Sequence, residues 1–180
     1  MTIRVPNRFF WLAAGIGLVL DQVTKQWVAN SFEALGDRIL LFPGIFHLTY
    51  VVNTGAAFSL FAGGAHWLRW LSLLVSIILI VLAWTNPRLP RLEQLGWGFI
   101  LSGAIGNGVC RFVYSYVIDF LEFPFVRIPV LNWAEFSWRW VPFPVFNFAD
   151  VFINLGIILL LLNYLKNPSP PQRPARSGSE

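Results

Sequence analysis

Two carboxylates and a group of asparagines in this sequence lie inside apolar runs, where charge is expensive. The stretch Phe143–Gly156, FPVFNFADVFINLG, opens an apolar run that continues to Leu165. Such a run approaches the ~20 mostly apolar residues needed to cross a bilayer. Its first half nevertheless carries Asn147, Asp150 and Asn154, and offsets of three and four put all three on one helix face. A carboxylate inside a span costs about 2.5–3.5 kcal/mol on insertion scales, so by default it marks a functional site. A second acid, Asp119, ends the run GWGFILSGAIGNGVCRFVYSYVIDF, which also holds Asn107 and Arg111. Two carboxylates brought together cannot both ionise cheaply; they share a proton, one acting as base and the other as acid. That arrangement activates a water for attack on an amide carbonyl. Asparagines can orient the pair, and Arg111 can balance its charge. A plain structural account is open as well: Asp119 as an interfacial acid, and Asp150 as the partner of Lys25 or Arg111.

Composition says what must hold these residues. Of 180 residues, 56% are hydrophobic and 12% charged, against about 25% charged in a soluble domain. Mean hydropathy is +0.61. The chain reads as membrane-embedded, so its net charge of +4 bears on orientation and not on nucleic-acid binding. A single cysteine, Cys110, excludes an internal disulfide and a multi-cysteine metal site. The two histidines, His47 and His66, are not set in an HExxH pattern. No metal and no cofactor is expected.

Taken in order, the chain predicts an all-α membrane domain with a small β extension. A short basic start with Arg4 and Arg8 leads into an apolar run from Phe9 through Asp21 and Lys25 to Val28. This opening has a signal-peptide look, but it lacks a small-residue cleavage site and two charges interrupt it. It is taken as an uncleaved first span, with Asp21 and Lys25 paired on one helix face. Residues 30–64 change character, with Pro43-Gly44 between two β-branched and aromatic runs, and read as a hairpin in an extramembrane subdomain. Second and third spans are expected over Trp67–Trp84 and from Leu95 to about Phe120. Residues 121–142 read as an outer loop rich in Trp, Phe and Pro. The fourth span is the opening stretch, so residues 1–165 form one four-span domain. The Pro/Ser-rich tail, 166–180, should be disordered. Four spans put both termini on one side with Arg4, Arg8, Arg88, Arg91, Lys166, Arg173 and Arg176, while Arg38, Arg127 and Arg139 lie on the other. The positive-inside rule then makes the termini cytoplasmic and the β subdomain external. Asp119, Asp150, Asp21 and Lys25 converge near the outer leaflet, with Asn107 and Arg111 on one face of the third span.

Four separated blocks resemble those of bacterial lipoprotein signal peptidase (signal peptidase II). They are Asp21-Gln-Val-Thr-Lys25, Asn53-Thr-Gly-Ala-Ala-Phe-Ser59, Gly103-Ala-Ile-Gly-Asn107 through Arg111 to Val-Ile-Asp119-Phe, and Phe146-Asn147-Phe-Ala-Asp150. Their order and their placement on four spans agree with the family over about residues 9–165. The resemblance implies an intramembrane aspartic endopeptidase in which Asp119 and Asp150 are catalytic. Asn107, Arg111 and Asn147 would line the site, while Asp21, Lys25, Asn53 and Gly55 would shape or support it. It further implies a multi-pass protein of the bacterial inner membrane, acting at the outer face on prolipoproteins. The cut falls just before a cysteine that carries diacylglycerol. The expected partners are that substrate and membrane lipids, and the expected state is a monomer. The chain departs from the family at Cys110, where an Asp usually precedes the site arginine, and in the length of the 121–142 loop with its Trp133, Trp138 and Trp140. Asn154 lies outside the family pattern.

Three rival readings stand beside this one. Ser59 and Lys25 would make a nucleophile–base dyad. Asp119 and Asp150 would serve a proton-coupled transporter as a relay, although no internal repeat supports it. A non-catalytic membrane assembly factor would need neither acid.

Overall fold

A computed structural model describes residues 6–55, 64–124, 126–131, 136–141 and 143–167, with backbone alone considered from 126 to 141. The elements run α1 (Arg8–Ser31), β1 (Arg38–Phe42), β2 (Phe46–Asn53), α2 (Ala65–Thr85), α3 (Arg91–Tyr114), β3 (Val117–Glu122), β4 (Val126–Leu131), β5 (Phe136–Val141) and α4 (Phe148–Lys166).

Helix α3 is the axis: α1, α2 and α4 all pack against it. Small residues on it make this possible. A side chain at Gly103 would meet the backbone oxygen of Ala149 on α4, and one at Gly106 would meet the Asp21 carboxylate on α1. Gly156 and Gly96 face each other, so that a Cβ on Gly156 would sit 2.5 Å from the Gly96 oxygen. Where apolar burial no longer drives helices together, such close backbone approach is what holds them. The large apolar side chains point outward instead: Trp67, Trp70, Leu74, Ile77 and Ile78 on α2, and Ile158, Leu161, Leu162 and Leu165 on α4, are all exposed. Among the described residues α2 and α4 are long and apolar enough to cross a membrane, with only 22% and 17% of those stretches buried in the protein. A soluble core helix would show the reverse pattern. Helices α1 and α3, 24 residues each, have the length but carry more polar residues.

The expected hairpin is present. Strands β1 and β2 flank the turn at Gly44, whose φ of 74° suits glycine. The third strand of their sheet corrects the sequence reading: the apolar run does not continue as helix to Phe120. Helix α3 stops at Tyr114, because Ser115 turns left-handed at φ 63° while its N–H still bonds the Arg111 carbonyl. Residues 117–122 then pair antiparallel with β2, Val51 opposite Asp119 and Asn53 opposite Val117. Strand alternation sends Ile118 and Phe120 into an apolar cluster with Val28 and Phe32 at the end of α1, and Val117 and Asp119 to the other face. Nor are the described residues between 126 and 141 a loop: β4 and β5 pair antiparallel from Val126↔Val141 to Leu131↔Phe136. Helix α4 begins at Phe148, later than expected, since Phe146 is extended and bridges Leu121.

Candidate active site

Asp119 and Asp150 arrive from different kinds of element, a strand and a helix, and Asn147 joins them. Asn147 is the N-cap of α4 in extended conformation, and Asp150 is its N3 residue. The two form a capping box: the Asp150 N–H donates to Asn147 Oδ1 at 3.1 Å, and the Asn147 N–H donates to Asp150 Oδ2 at 3.2 Å. Such a box satisfies two N–H groups that a helix start leaves without partners. Its amide Nδ2 is thereby turned outward, where it donates to Asp119 Oδ1 at 2.6 Å and to Asn107 Oδ1 at 3.1 Å. The sequence reading put Asn147, Asp150 and Asn154 on one helix face. Asn147 instead lies before the helix, and exposed Asn154 turns back to the Asp150 carbonyl at 2.8 Å.

The remaining polar residues close around this pair. Asn107 Nδ2 donates to Asp150 Oδ1 at 2.9 Å, and Asn53 Nδ2 donates to Asp119 Oδ2 at 3.0 Å. Asn53 is itself fixed by the Gly55 N–H, which donates to its Oδ1 at 2.9 Å. Each carboxylate oxygen thus accepts one of these hydrogen bonds, and an oxygen has room for a second. Lys25 Nζ donates to Asp21 Oδ2 at 2.9 Å and to Asn107 Oδ1 at 2.8 Å. Asp21 Oδ1 accepts the Ala149 N–H at 2.8 Å, so α1 holds the first turn of α4. The favourable direction of the helix dipole adds to that hold.

The plain structural account of Asp150 is not met: among the described residues it forms an ion pair with neither Lys25 nor Arg111, and Lys25 pairs with Asp21 as expected. Arg111 lines the same cleft and its charge faces both acids without a direct ion pair. Its Nη2 donates to the Gly55 carbonyl at 2.9 Å, tying the segment after β2 to α3. Its Nε is buried without a hydrogen-bond partner. Cys110, one residue earlier, is buried. The nine residues singled out from sequence therefore fall into one connected set. Reasoning from sequence missed Gln22, whose amide donates to Asp21 Oδ2 at 3.0 Å and to the Gly106 carbonyl at 3.1 Å. Its place one residue after Asp21 was the available signal. Ser59 lies outside the described residues.

The acids open into a cleft of about 1010 Å³, lined at its polar end by Asn53, Gly55, Asn107, Arg111, Asp119, Asn147 and Asp150. Ile153, Leu155 and Ile158 continue it along α4. Burial pushes the Asp119 carboxyl well above the usual carboxylate range, and the charge of Asp150 adds to this against the donors from Asn53 and Asn147. A carboxyl so placed keeps a proton at pH values where an exposed aspartate has lost it. Among the described residues no three His, Cys, Asp or Glu side chains are grouped to hold a metal ion.

Known proteins share this architecture. A solved structure titled as a bacterial membrane enzyme, determined by the in meso method at 2.3 Å, superposes with a TM-score of 0.73 at 24% identity over 94% of this chain and 93% of its own. A second, at 1.9 Å, gives 0.69 at 25% identity over 87% and 92%. The lipoprotein signal peptidase of Gloeothece citriformis is 56% identical over 167 residues, 93% of this chain and 95% of that one. That of Microcystis aeruginosa is 54% identical over 163 residues, 91% and 96%. The family model described as signal peptidase (SPase) II matches residues 13–166. A match spanning every element from α1 to α4, with the four blocks gathered into one network, settles the kinship: the chain belongs to the signal peptidase II family.

Proposed function

We propose that the protein removes the signal peptide from diacylglyceryl-modified prolipoproteins, cutting just before the lipidated cysteine. The observation that carries this is the pair of a buried Asp119 and a half-buried Asp150 opening into one cleft and bridged by one residue, Asn147, in a chain of this family. Asp119 and Asp150 are the catalytic residues. A water held between them attacks the scissile carbonyl; one carboxylate takes the water proton while the other, protonated, gives its proton to the carbonyl oxygen. Collapse breaks the C–N bond as the departing amine takes up the proton held by the first acid, and a hydroxyl of the diol returns its proton to the second, leaving a carboxylic acid and the acid pair as it began. Asn53, Asn107 and Asn147 aim the carboxylates; Asp21 and Lys25 hold the helices that carry them, and Arg111 with Gly55 fixes the wall of the cleft. No metal or cofactor takes part.

All four helices cross the membrane in this reading. Polar residues on α1 and α3 turn toward each other and toward α4, which is the orientation in which polar groups in a bilayer are tolerated. Both termini are cytoplasmic in a bacterial inner membrane, and the β1–β2–β3 sheet and the β4–β5 hairpin lie outside. Residues 1–165 form one domain followed by a cytoplasmic tail, and the protein acts as a monomer. Membrane lipid surrounds the exposed apolar faces of α2 and α4. The acyl chains of the substrate fix the depth of its cysteine and so present the preceding amide to the acids. A chain already in lipid gains little by moving against protein, so the lipid acts through geometry. Purified protein incubated with a diacylglyceryl-modified precursor should release the signal peptide, and the unlipidated precursor should be cut far more slowly. Equal rates would remove the role given to the lipid, and no release from either would remove the function.

A further inference from the structure

We propose that Lys25 is a positioning residue that decides which acid of the pair holds the proton: Asp150 is the ionised base and Asp119 the acid. The inference rests on the function proposed above for its meaning, but its geometry stands alone. Lys25 is 1% exposed and can only donate hydrogen bonds. One of its donors goes to Asn107 Oδ1 at 2.8 Å and, with the Asn147 Nδ2 on the same oxygen at 3.1 Å, turns the Asn107 Nδ2 toward Asp150 Oδ1, 2.9 Å away. A second obligate donor, the Asp150 N–H on Asn147 Oδ1, fixes the Asn147 amide in the same way, with Nδ2 toward Asp119. Neither amide can rotate by half a turn without placing oxygen against an oxygen or nitrogen against a donor.

The two acids then differ in their surroundings. Asp150 lies in the first turn of α4, where the helix end favours negative charge, and its Oδ2 accepts a backbone N–H of that helix start. Asp119 lies on a strand, with neutral amides from Asn147 and Asn53 as its partners and no helix end behind it. The charged groups around the pair are Asp21 and Lys25 from α1, which pair with each other, Arg111 from α3, which donates to Gly55, and the two acids themselves. Lys25 therefore reaches the pair through its hydrogen bond to Asn107 and through its charge, and it donates to neither carboxylate of the pair.

The test uses the full chain in lipid vesicles, with the diacylglyceryl-modified precursor. In Lys25→Met the Asn107 oxygen loses its charged donor and keeps only the neutral Asn147 Nδ2, so the Asn107 amide is held less firmly toward Asp150. The acidic limb of the kcat–pH profile should move up by about one pH unit, the tenfold change that loss of one hydrogen bond to a charged group corresponds to. KM should stay within about twofold, since a base lost from the reaction leaves substrate binding intact. Lys25→Arg, which keeps the donor and the charge, should restore the limb. Because Lys25→Met orphans the buried Asp21 charge, the double variant Asp21→Asn/Lys25→Met is read beside it and should show the same displaced limb. An unmoved limb in the double variant, or a change confined to KM, overturns the proposal and leaves Lys25 a scaffold residue. An infrared titration of the carboxylates, assigned by Asp119→Asn and Asp150→Asn, needs no turnover. The Asp150 band should ionise at lower pH than the Asp119 band, and closer to it in Lys25→Met. The opposite order, or no response to Lys25→Met, overturns the assignment even where the precursor is cut. If the titration behaves as stated but the precursor is not cut, the function falls and the assignment stands.

Discussion

Strand β3 carries two acids three residues apart, and they are treated in opposite ways. Glu122 Oε1 accepts from Arg38 Nη2 at 2.9 Å, Oε2 accepts the Thr49 hydroxyl, and His47 Nδ1 lies 3.7 Å from Oε2. Asp119 receives two hydrogen bonds as well, but both come from neutral amides. A cation beside a carboxylate makes the charged form cheap and its proton hard to hold; amides in a buried setting hold the group in place and leave the proton affordable. The same strand thus presents one acid joined to a cation to knit a sheet and one, held by amides, that can take part in proton transfer. Deeper burial and the absence of a cation among its hydrogen-bond donors set Asp119 apart from Glu122.

This contrast can be broken most sharply by removing charge from each acid in turn. Asp119→Asn or Asp150→Asn should lower turnover by ~10²–10⁴-fold, the usual worth of general acid–base catalysis, while the protein still folds. Glu122→Gln should leave turnover within about threefold, because general acid–base work does not pass through it. Signal-peptide release from the lipidated precursor measures both, and comparable losses in the two would erase the distinction. Next in size is pH. The Asp119 carboxyl is raised above its unfolded value, so the folded chain binds that proton more tightly than the unfolded one. Stability from this group is therefore full below the ordinary carboxylate range and is lost as pH rises toward the raised folded value. Asp119→Asn should then melt higher than the parent at neutral and alkaline pH, with the gain shrinking on acidification. A melting difference independent of pH would show that the group is not a proton holder. Asn147→Ala removes a cap worth about 0.5–2 kcal/mol and should also cost activity, whereas Thr49→Ala should cost stability alone. Thermal melts beside turnover separate the two. The smallest effect expected is none: EDTA should leave cleavage unchanged, and loss with recovery on added zinc would contradict the acid pair.

Much of this site was legible in the sequence because its parts are short-range. Asp21 and Lys25, four apart, pair on α1 as helix spacing dictates. The Pro43-Gly44 turn announced its hairpin. An Asn three residues before an Asp, at the head of an apolar run, is a helix-start signature, and reading it that way would have placed Asn147 ahead of α4. The third strand was hidden for a different reason. Val117–Leu121 is apolar enough to extend a helix, and the break falls on Ser115, a residue whose left-handed backbone composition does not forecast. The alternation of VRIPVL and FSWRWV was a strand signal masked by aromatic content. What sequence could not supply was the partner of Arg111, since nothing local links an arginine on α3 to a carbonyl after β2.

One acid rides on a helix long and apolar enough to cross a bilayer and the other on a strand, and the amide of Asn147 spans the seam between them. In the membrane placement proposed above, this would make the acid pair sensitive to membrane thickness. A helix longer or shorter than the surrounding hydrocarbon tilts to fit, at fractions of a kcal/mol per Å. Strand β3 is packed on the end of α1, pinned by β2 and bridged to Phe146 just ahead of α4. A thinner or thicker bilayer would thus load the joint between β3 and the start of α4, the 2.6 Å contact from Asn147 to Asp119 included. Cleavage rates in vesicles of graded acyl length should accordingly pass through an optimum, while the melting temperature of the protein changes little across the same series.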